Sequence, residues 1–296
     1  MTVTVTTGHV SAVVVLPADI DTATAHAAGA CLPGGWIATP LPTATSPGPP
    51  AVEVRRGPTG VRVEGDTVHV QLDDDAASGD TLAYVTYTAL ERLRQRRRRT
   101  TLHGGALIGP DGGAVLLLGA KGAGKTSTAL ALAERGWTHA GDDLVVLGED
   151  DQDDTLVVWS GKPVAAIRDP ARPLAGKRSH VLRPFAGPEP AALRWVVRLA
   201  VHPALDSSSL TTATPFSINE RLRLHEALAR YISGLPTPLA GAHNTPFGPV
   251  WPMDTPALAR WRSHLLARLA SSRFDYLYAP SPDSAADLLT ARWSGR

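Results

Sequence analysis

The residues best equipped for chemistry lie between 113 and 127, Gly113-Ala-Val-Leu-Leu-Leu-Gly119-Ala120-Lys121-Gly122-Ala123-Gly124-Lys125-Thr126-Ser127. A short apolar, β-leaning run from Ala114 to Leu118 breaks at glycine and restarts as a helix-forming segment, Thr126 to Arg135. The intervening G-x-x-x-x-G-K-[ST] is the P-loop pattern. Its glycines let consecutive backbone N–H groups turn inward around a polyphosphate, and the helix that follows adds the positive end of its dipole. In such a loop Lys125 reaches the β/γ-phosphates and the Thr126 hydroxyl ligates Mg²⁺, so residues 119–127 are the expected nucleotide site. At average residue usage the four fixed positions recur by chance in a chain of this length with a probability of roughly 1% or less. The flanking strand and helix patterns separate the match from an ordinary glycine-rich turn.

Carboxylates close to such a loop are the next requirement of phosphate chemistry. Asp142 and Asp143 follow the loop helix after one turn and a few extended residues. Two adjacent acids there suit one metal-facing role and one proton-accepting role. The alternative is a pair of turn or cap aspartates. Leu144–Asp150 is a weaker candidate for the metal-holding strand, because Gly148 interrupts it and its acids fall in a turn. His103 lies one strand before the loop strand, in a functional or a structural part. Lys162 and Arg168 stand at the two ends of a short apolar run that reads as another strand.

Several elements must position these groups. Leu102–Ile108, a turn at Gly109–Gly113 and the Ala114–Leu118 run predict a β-hairpin feeding the loop. Gly136 is placed to end the loop helix at C′. Trp137–Leu147 reads as a new strand with the acid pair at its head, and Thr155–Ser160 as its hairpin partner across the acidic turn 148–154. Residues 169–190 are rich in Pro, Arg and Gly and read as a long irregular stretch of the kind that forms lids or substrate loops. An apolar strand over Arg194–Val201 and a polar loop over Asp206–Thr214 precede a helix at Ser217–Ser233, whose Ser217-x-x-Glu220 is a capping box. A helix at Thr255–Ala270 with Pro256 at its first position, a strand at Phe274–Tyr278 and a helix at Ser281–Leu289 close the chain.

Upstream, residues 1–20 cluster β-branched side chains, Asp21–Gly29 is weakly helical, and Pro40–Pro50 is a proline-rich connector. Val52–Leu72 predicts two or three short strands. Asp73-Asp-Asp75 reads as a turn before a helix start, with a metal cluster as the alternative. Asp80–Arg99 has helical periodicity and ends in a run of arginines that complements the helix dipole. An acidic-peptide or RNA docking surface is the alternative for that run, but no interleaved aromatics accompany it.

The 296 residues suit one large domain or two modest ones. A net charge of +1 provides no global field for nucleic acid or an anionic membrane. The single cysteine, Cys31, excludes an intrachain disulfide and a thiolate metal cluster. The start carries no signal-peptide pattern, and no run approaches the ~18 apolar residues of a membrane span. A cytoplasmic protein without a membrane partner is expected, and the subunit number, homo-oligomer or not, stays open.

The assembly Leu102-His103-Gly-Gly-Ala, the loop Leu118–Thr126, Arg135-Gly136 and Gly141-Asp142-Asp143-Leu-Val resembles the HPr kinase/phosphorylase-like family. It is most similar to the shorter members that act as tailoring kinases on ribosomal peptides, the lasso-peptide type. The resemblance implies an α/β fold with a P-loop kinase domain at 80–296, a central mixed sheet and flanking helices; residues 1–79 carry no motif of that family and are expected to form a small β-rich domain before it, for which substrate recognition is suggested only by its being a separate unit. It further implies ATP and Mg²⁺ bound by Gly119–Thr126, Asp142 as the base, Asp143 supporting it or the metal, His103 at the same site, and basic phosphate or substrate contacts at Lys162 and Arg168. The second glycine-rich signature of the bifunctional HPr enzymes, and the metal-holding glutamate after it, have no clear counterpart. The expected reaction is transfer of the γ-phosphate of ATP to a Ser/Thr-like hydroxyl of a peptide or protein. A kinase acting on a hydroxyl or guanidino group of a small molecule, and a nucleotide-binding regulatory protein without transferase activity, are the alternatives.

Overall fold

The computed structural model describes residues 2–7, 10–19, 37–40, 51–58, 60–72, 79–167, 178–187, 189–213, 215–232 and 253–294. The features expected at Asp21–Gly29, in the proline-rich segment beyond Pro40, at Asp73–Asp75 and at Arg168 lie outside these residues. The chain forms two compact units, one of residues 1–100 with 225–263 and one of residues 101–224 with 264–296.

In the first unit, the β-branched runs become β1 (Thr2–Thr7), β2 (Val10–Val15), β3 (Ile37–Pro40), β4 (Val52–Arg56), β5 (Gly60–Glu64) and β6 (Thr67–Leu72). They form one six-stranded sheet in the order β3-β1-β2-β4-β6-β5. The period-2 alternation of the sequence decides which face is inward. Val10, Ala12 and Val14, Val52 and Val54, and Val68 and Val70 are all buried. The helix α1 (Gly79–Arg96) lies against β2 and β4. Its basic C-terminal run is only partly solvated. Arg94 turns inward to pair with Glu91, both fully buried, and Arg96 pairs with Asp66. Gln95 joins that cluster by donating to Glu91 (3.0 Å) and accepting from Arg262 (2.8 Å).

The second unit is built on β7 (Arg99–His103), β8 (Gly105–Ile108), β9 (Ala114–Leu118), α2 (Lys125–Ala133), β10 (Thr138–Gly141), β11 (Leu144–Glu149), β12 (Leu156–Trp159), β13 (Val164–Ile167), β14 (Arg178–Val181), β15 (Ala191–Val201), β16 (Ser209–Thr212), β17 (Phe274–Ala279) and α5 (Pro282–Ser294), while α3 (Ile218–Ala229) and α4 (Pro256–Ser271) have their residues divided between the two units. A nine-stranded sheet runs β10-β8-β9-β15-β12-β11-β7, with β17 on β15 and β16 on β17. It is mixed: β9, β15 and β17 are mutually parallel, whereas β8–β9, β8–β10, β11–β12, β12–β15 and β16–β17 are antiparallel. The strand β9 is buried at every position, as befits a strand covered on both faces.

The main core lies between this sheet and the pair α2 and α5. Leu107, Val115, Leu117 and Leu199 from the strands meet Ala129, Leu132, Ala285 and Leu289 from the helices. Its aromatic part is a column. The Arg273 guanidinium sits over Trp195 (4.2 Å), Trp195 stacks on Trp293 (6.3 Å between ring centroids), and Trp293 meets Trp137 edge-on (4.8 Å). Gly136 ends the loop helix as expected, with φ 85° and the two Schellman bonds, Gly136 N–H to Ala133 O and Trp137 N–H to Leu132 O.

Five local expectations are corrected. Leu102–Ile108 is not one strand: the chain divides at Gly104, β7 joining β11 while β8 forms the hairpin with β9. Trp137–Leu147 is likewise two strands, β10 and β11, with Asp142 and Asp143 in the bend between them. The polar stretch 206–214 contains the strand β16, which gains order by pairing with β17 rather than by apolar content. The stretch 169–190 contains β14, paired with β13. The capping box at α3 is half-formed, because Ser217 Oγ accepts the Glu220 N–H (3.2 Å) but the Glu220 carboxylate turns instead to Arg198.

Candidate active site

Leu118 ends β9 and the chain turns through 119–124 into α2, the strand–turn–helix order that the phosphate pattern requires. Three glycines make the turn in conformations an L side chain resists, Gly119 at φ 155°, Gly122 at φ 85° and Gly124 at φ 89°. A Cβ on Gly124 would also lie 2.7 Å from the Val201 Cβ, so the end of β15 closes against the turn. The Ala123 N–H donates to Ala120 O (3.1 Å), and Val201 N–H donates to Ala123 O (3.2 Å). Lys125 folds back over this turn, its ammonium donating to the carbonyls of Gly119 (2.9 Å) and Ala120 (3.1 Å). Ala120, Lys121, Gly122 and Ser127 are exposed, and Ala123 and Thr126 are half-buried.

The acid pair reaches this turn because of how the chain bends between β10 and β11. Asp142 N–H donates to Lys162 O (3.1 Å), Leu144 N–H donates to Asp142 O (2.7 Å), and Gly104 N–H donates to Asp143 O (3.2 Å). Asp143 takes φ 65°, a left-handed conformation that aspartate tolerates better than most residues. The two side chains therefore leave in different directions.

Asp142 is 3% exposed and accepts the Thr126 hydroxyl, at 2.9 Å to Oδ1 and 3.1 Å to Oδ2. Burial pushes its carboxyl above the usual carboxylate range. The Thr126 hydrogen bond opposes that push, the neighbouring Asp143 adds to it, and the Lys162 and Lys125 charges oppose it. Asp143 is half-exposed and faces His103 (Nδ1 to Oδ1, 3.2 Å) and Lys162 (Nζ to Oδ2, 3.9 Å).

The structure thus gathers Lys125, Thr126, Asp142, Asp143, His103 and Lys162 in one place, and it puts Asp142, not Asp143, on the threonine at the helix start. Among the described residues no group of three or more His, Cys, Asp or Glu side chains is placed to hold a metal ion by itself. The hydroxyl of Thr126 backed by a carboxylate, at the head of a helix, fits a Mg²⁺ that takes most of its remaining ligands from phosphate oxygens and water.

Sequence reasoning missed two parts of this arrangement. One is Gly161, where a Cβ would run into the Leu144 carbonyl oxygen; it lets the segment before β13 pass close enough for Lys162 to reach the acids. A lone glycine beside a strand is the available signal for such an approach. The other is Arg198 of β15, whose neighbour in β9 is Leu118. It pairs with the fully buried Glu220, which also accepts Tyr276 Oη (3.4 Å), tying α3 to the sheet.

No helix among the described residues is long and apolar enough to cross a membrane. No family model matches the chain, and no curated protein matches it significantly. Among solved structures, the Hpr(Ser) kinase/phosphatase from Coxiella burnetii is similar over 38% of this chain and 75% of that one, at 20% identity and a TM-score of 0.26.

Proposed function

We propose that the chain is an ATP-dependent kinase of the HPr kinase-like type that phosphorylates a serine- or threonine-like hydroxyl on a peptide, in the manner of an enzyme that tailors ribosomally made peptides. The observation that carries this reading is the Thr126–Asp142 contact: the last residue of the phosphate-binding pattern is held by a buried carboxylate. Phosphoryl transfer asks a protein chiefly to position the reactants and to neutralise spreading charge. Lys125, released from the two loop carbonyls it now contacts, supplies a cation to the β/γ-phosphates. Thr126 and Asp142 would hold Mg²⁺, which would supply charge neutralisation for the phosphates.

We give the two acids separate tasks, the reverse of the expected pairing of Asp142 with the proton and Asp143 with the metal, because Asp142 contacts Thr126 and Asp143 does not. Asp142 orients Thr126, while Asp143 takes the acceptor proton. The acceptor oxygen forms its bond to the γ-phosphorus as the bond to the β-phosphate oxygen breaks; the hydroxyl proton passes to the Asp143 carboxylate, and ADP departs. His103 and Lys162 flank that carboxylate and hold it toward the acceptor. Incubation of the full chain with Mg²⁺, ATP and candidate acceptor peptides, followed by intact-mass measurement, tests the reading. Addition of one phosphate to a peptide, lost in Lys125→Ala and Asp143→Ala, is the expected result; ATP binding with no phosphorylated product in any mixture overturns it.

A further inference from the structure

The two-stranded ribbon β13–β14 has no part in the chemistry above, yet it is rooted beside it. Lys162, whose carbonyl accepts the Asp142 N–H and whose ammonium faces Asp143, is two residues from Val164, the start of β13. That is roughly 7 Å of extended chain. Val164 is paired with Val181, so the C-terminal end of β14 is the end nearest the acids.

The register shows which backbone groups of β14 are spent. Leu182 N–H donates to Pro163 O (2.9 Å) just beyond the Val164–Val181 pair. In an antiparallel ladder, hydrogen-bonded and non-bonded pairs alternate. Ala165–His180 and Ile167–Arg178 are therefore the bonded pairs, and Ser179 and Val181 point their N–H and C=O groups away from β13. Among the described residues β14 pairs with no other strand. All four of its residues are exposed, Val181 at 58%. An open edge of this kind is a template for an incoming strand, and its cationic Arg178 with the imidazole of His180 beside it selects the strand. Arg178 and His180 share one face of the ribbon, and the exposed Arg183 follows.

We infer that the open edge of β14 docks the acceptor itself, as an extended acidic peptide that adds a third strand and lays its hydroxyl-bearing end at Asp143. The inference rests on the kinase reading of the site. Acidic side chains at alternate positions of the incoming strand lie beside Arg178 and His180, and the intervening positions, one of them beside Val181, suit apolar residues.

Binding is measured apart from transfer, by fluorescence anisotropy of two labelled probes with the full chain: an alternating Glu/Val peptide ending in Ser, and its Lys/Val counterpart. The Glu probe binds about tenfold more tightly or better, a preference set by charge complementarity. Arg178→Glu with His180→Glu removes that preference. Val181→Pro deletes one outward N–H without touching the ladder to β13, and weakens the Glu probe by a similar factor; where that variant fails to fold, the exposed Arg178 and His180 substitutions alone decide. Equal binding of the two probes, or a preference that survives the double charge reversal, overturns the inference. A Glu probe that binds through β14 but never takes phosphate upholds the docking edge and removes the kinase. Phosphate transfer to a peptide whose binding ignores β14 does the reverse.

Discussion

Asp142→Asn separates what the carboxylate costs from what it does. The side chain is 3% exposed, and burial is the largest influence raising its pKa. The folded state therefore holds the Asp142 proton more tightly than the unfolded chain. A group raised in this way contributes most to stability below its unfolded-state value, about 3.9, and the contribution is lost as pH rises through the folded pKa. At pH 7 the ionised form is a burden on the fold, worth about 1.4 kcal/mol for each unit of the rise. Asparagine has the same shape, keeps an oxygen for the Thr126 hydroxyl and carries no charge to desolvate. The expectation is a nucleotide-free variant more stable than the native chain at pH 7, by an amount on the order of 1 kcal/mol, with the advantage shrinking toward zero by about pH 4. Urea denaturation at several pH values measures it. Phosphate transfer falls by several orders of magnitude in the same protein, the usual opposition of stability and activity at a strained site. A variant that is less stable at pH 7, by a margin that does not change with pH, would refute the electrostatic reasoning whatever its activity.

Three further outcomes follow from named contacts. Gly124→Ala places a Cβ against Val201 in a left-handed conformation, so it should abolish ATP binding by calorimetry and lower stability by about 1–3 kcal/mol. His139 is fully buried in β10 with neither ring nitrogen partnered, and burial, helped by the nearby His180, holds its pKa below the usual histidine range. Its unfolded form thus binds the proton more readily; stability is present above about pH 6.5 and falls as the pH drops. His139→Leu should raise the pH 7 stability by about 1 kcal/mol or more and flatten that acid decline in thermal melts. Glu220→Ala strands Arg198 without its counter-charge and should cost about 3 kcal/mol in denaturant titration, the low end for a broken buried pair because Arg198 is partly exposed.

The shape of the turn at 119–124 was legible because its constraints are local. A strand, a left-handed glycine turn and a helix start are each encoded within a few residues, and so were the Gly136 cap and the β11–β12 hairpin. What could not be read was set by partners distant in sequence. Nothing near Gly104 says that β7 leaves its neighbour for β11. Nothing in Ser209–Thr212 announces a strand until β17 lies alongside. The expectation of one strand over 137–147 failed at Asp143, where a positive φ in a non-glycine residue has no reliable signature, and that kink sends the two aspartates to different neighbours. Residue types brought Asp142 and Asp143 to notice together; only the backbone geometry tells them apart.

Trp293 sits in the last turn of α5, yet its indole N–H reaches Asp111 (3.1 Å), whose carboxylate also caps Gly113 N–H at the foot of β9. The final helix therefore braces, from behind, the hairpin that delivers the chain to the phosphate turn. Removal of the closing residues from Trp293 onward would extract a wedge from between Trp137 and Trp195 and slacken the footing of a loop some 170 positions upstream. Since those indoles touch one another and a guanidinium, the emission of the native chain doubles as an internal gauge of whether that footing is intact.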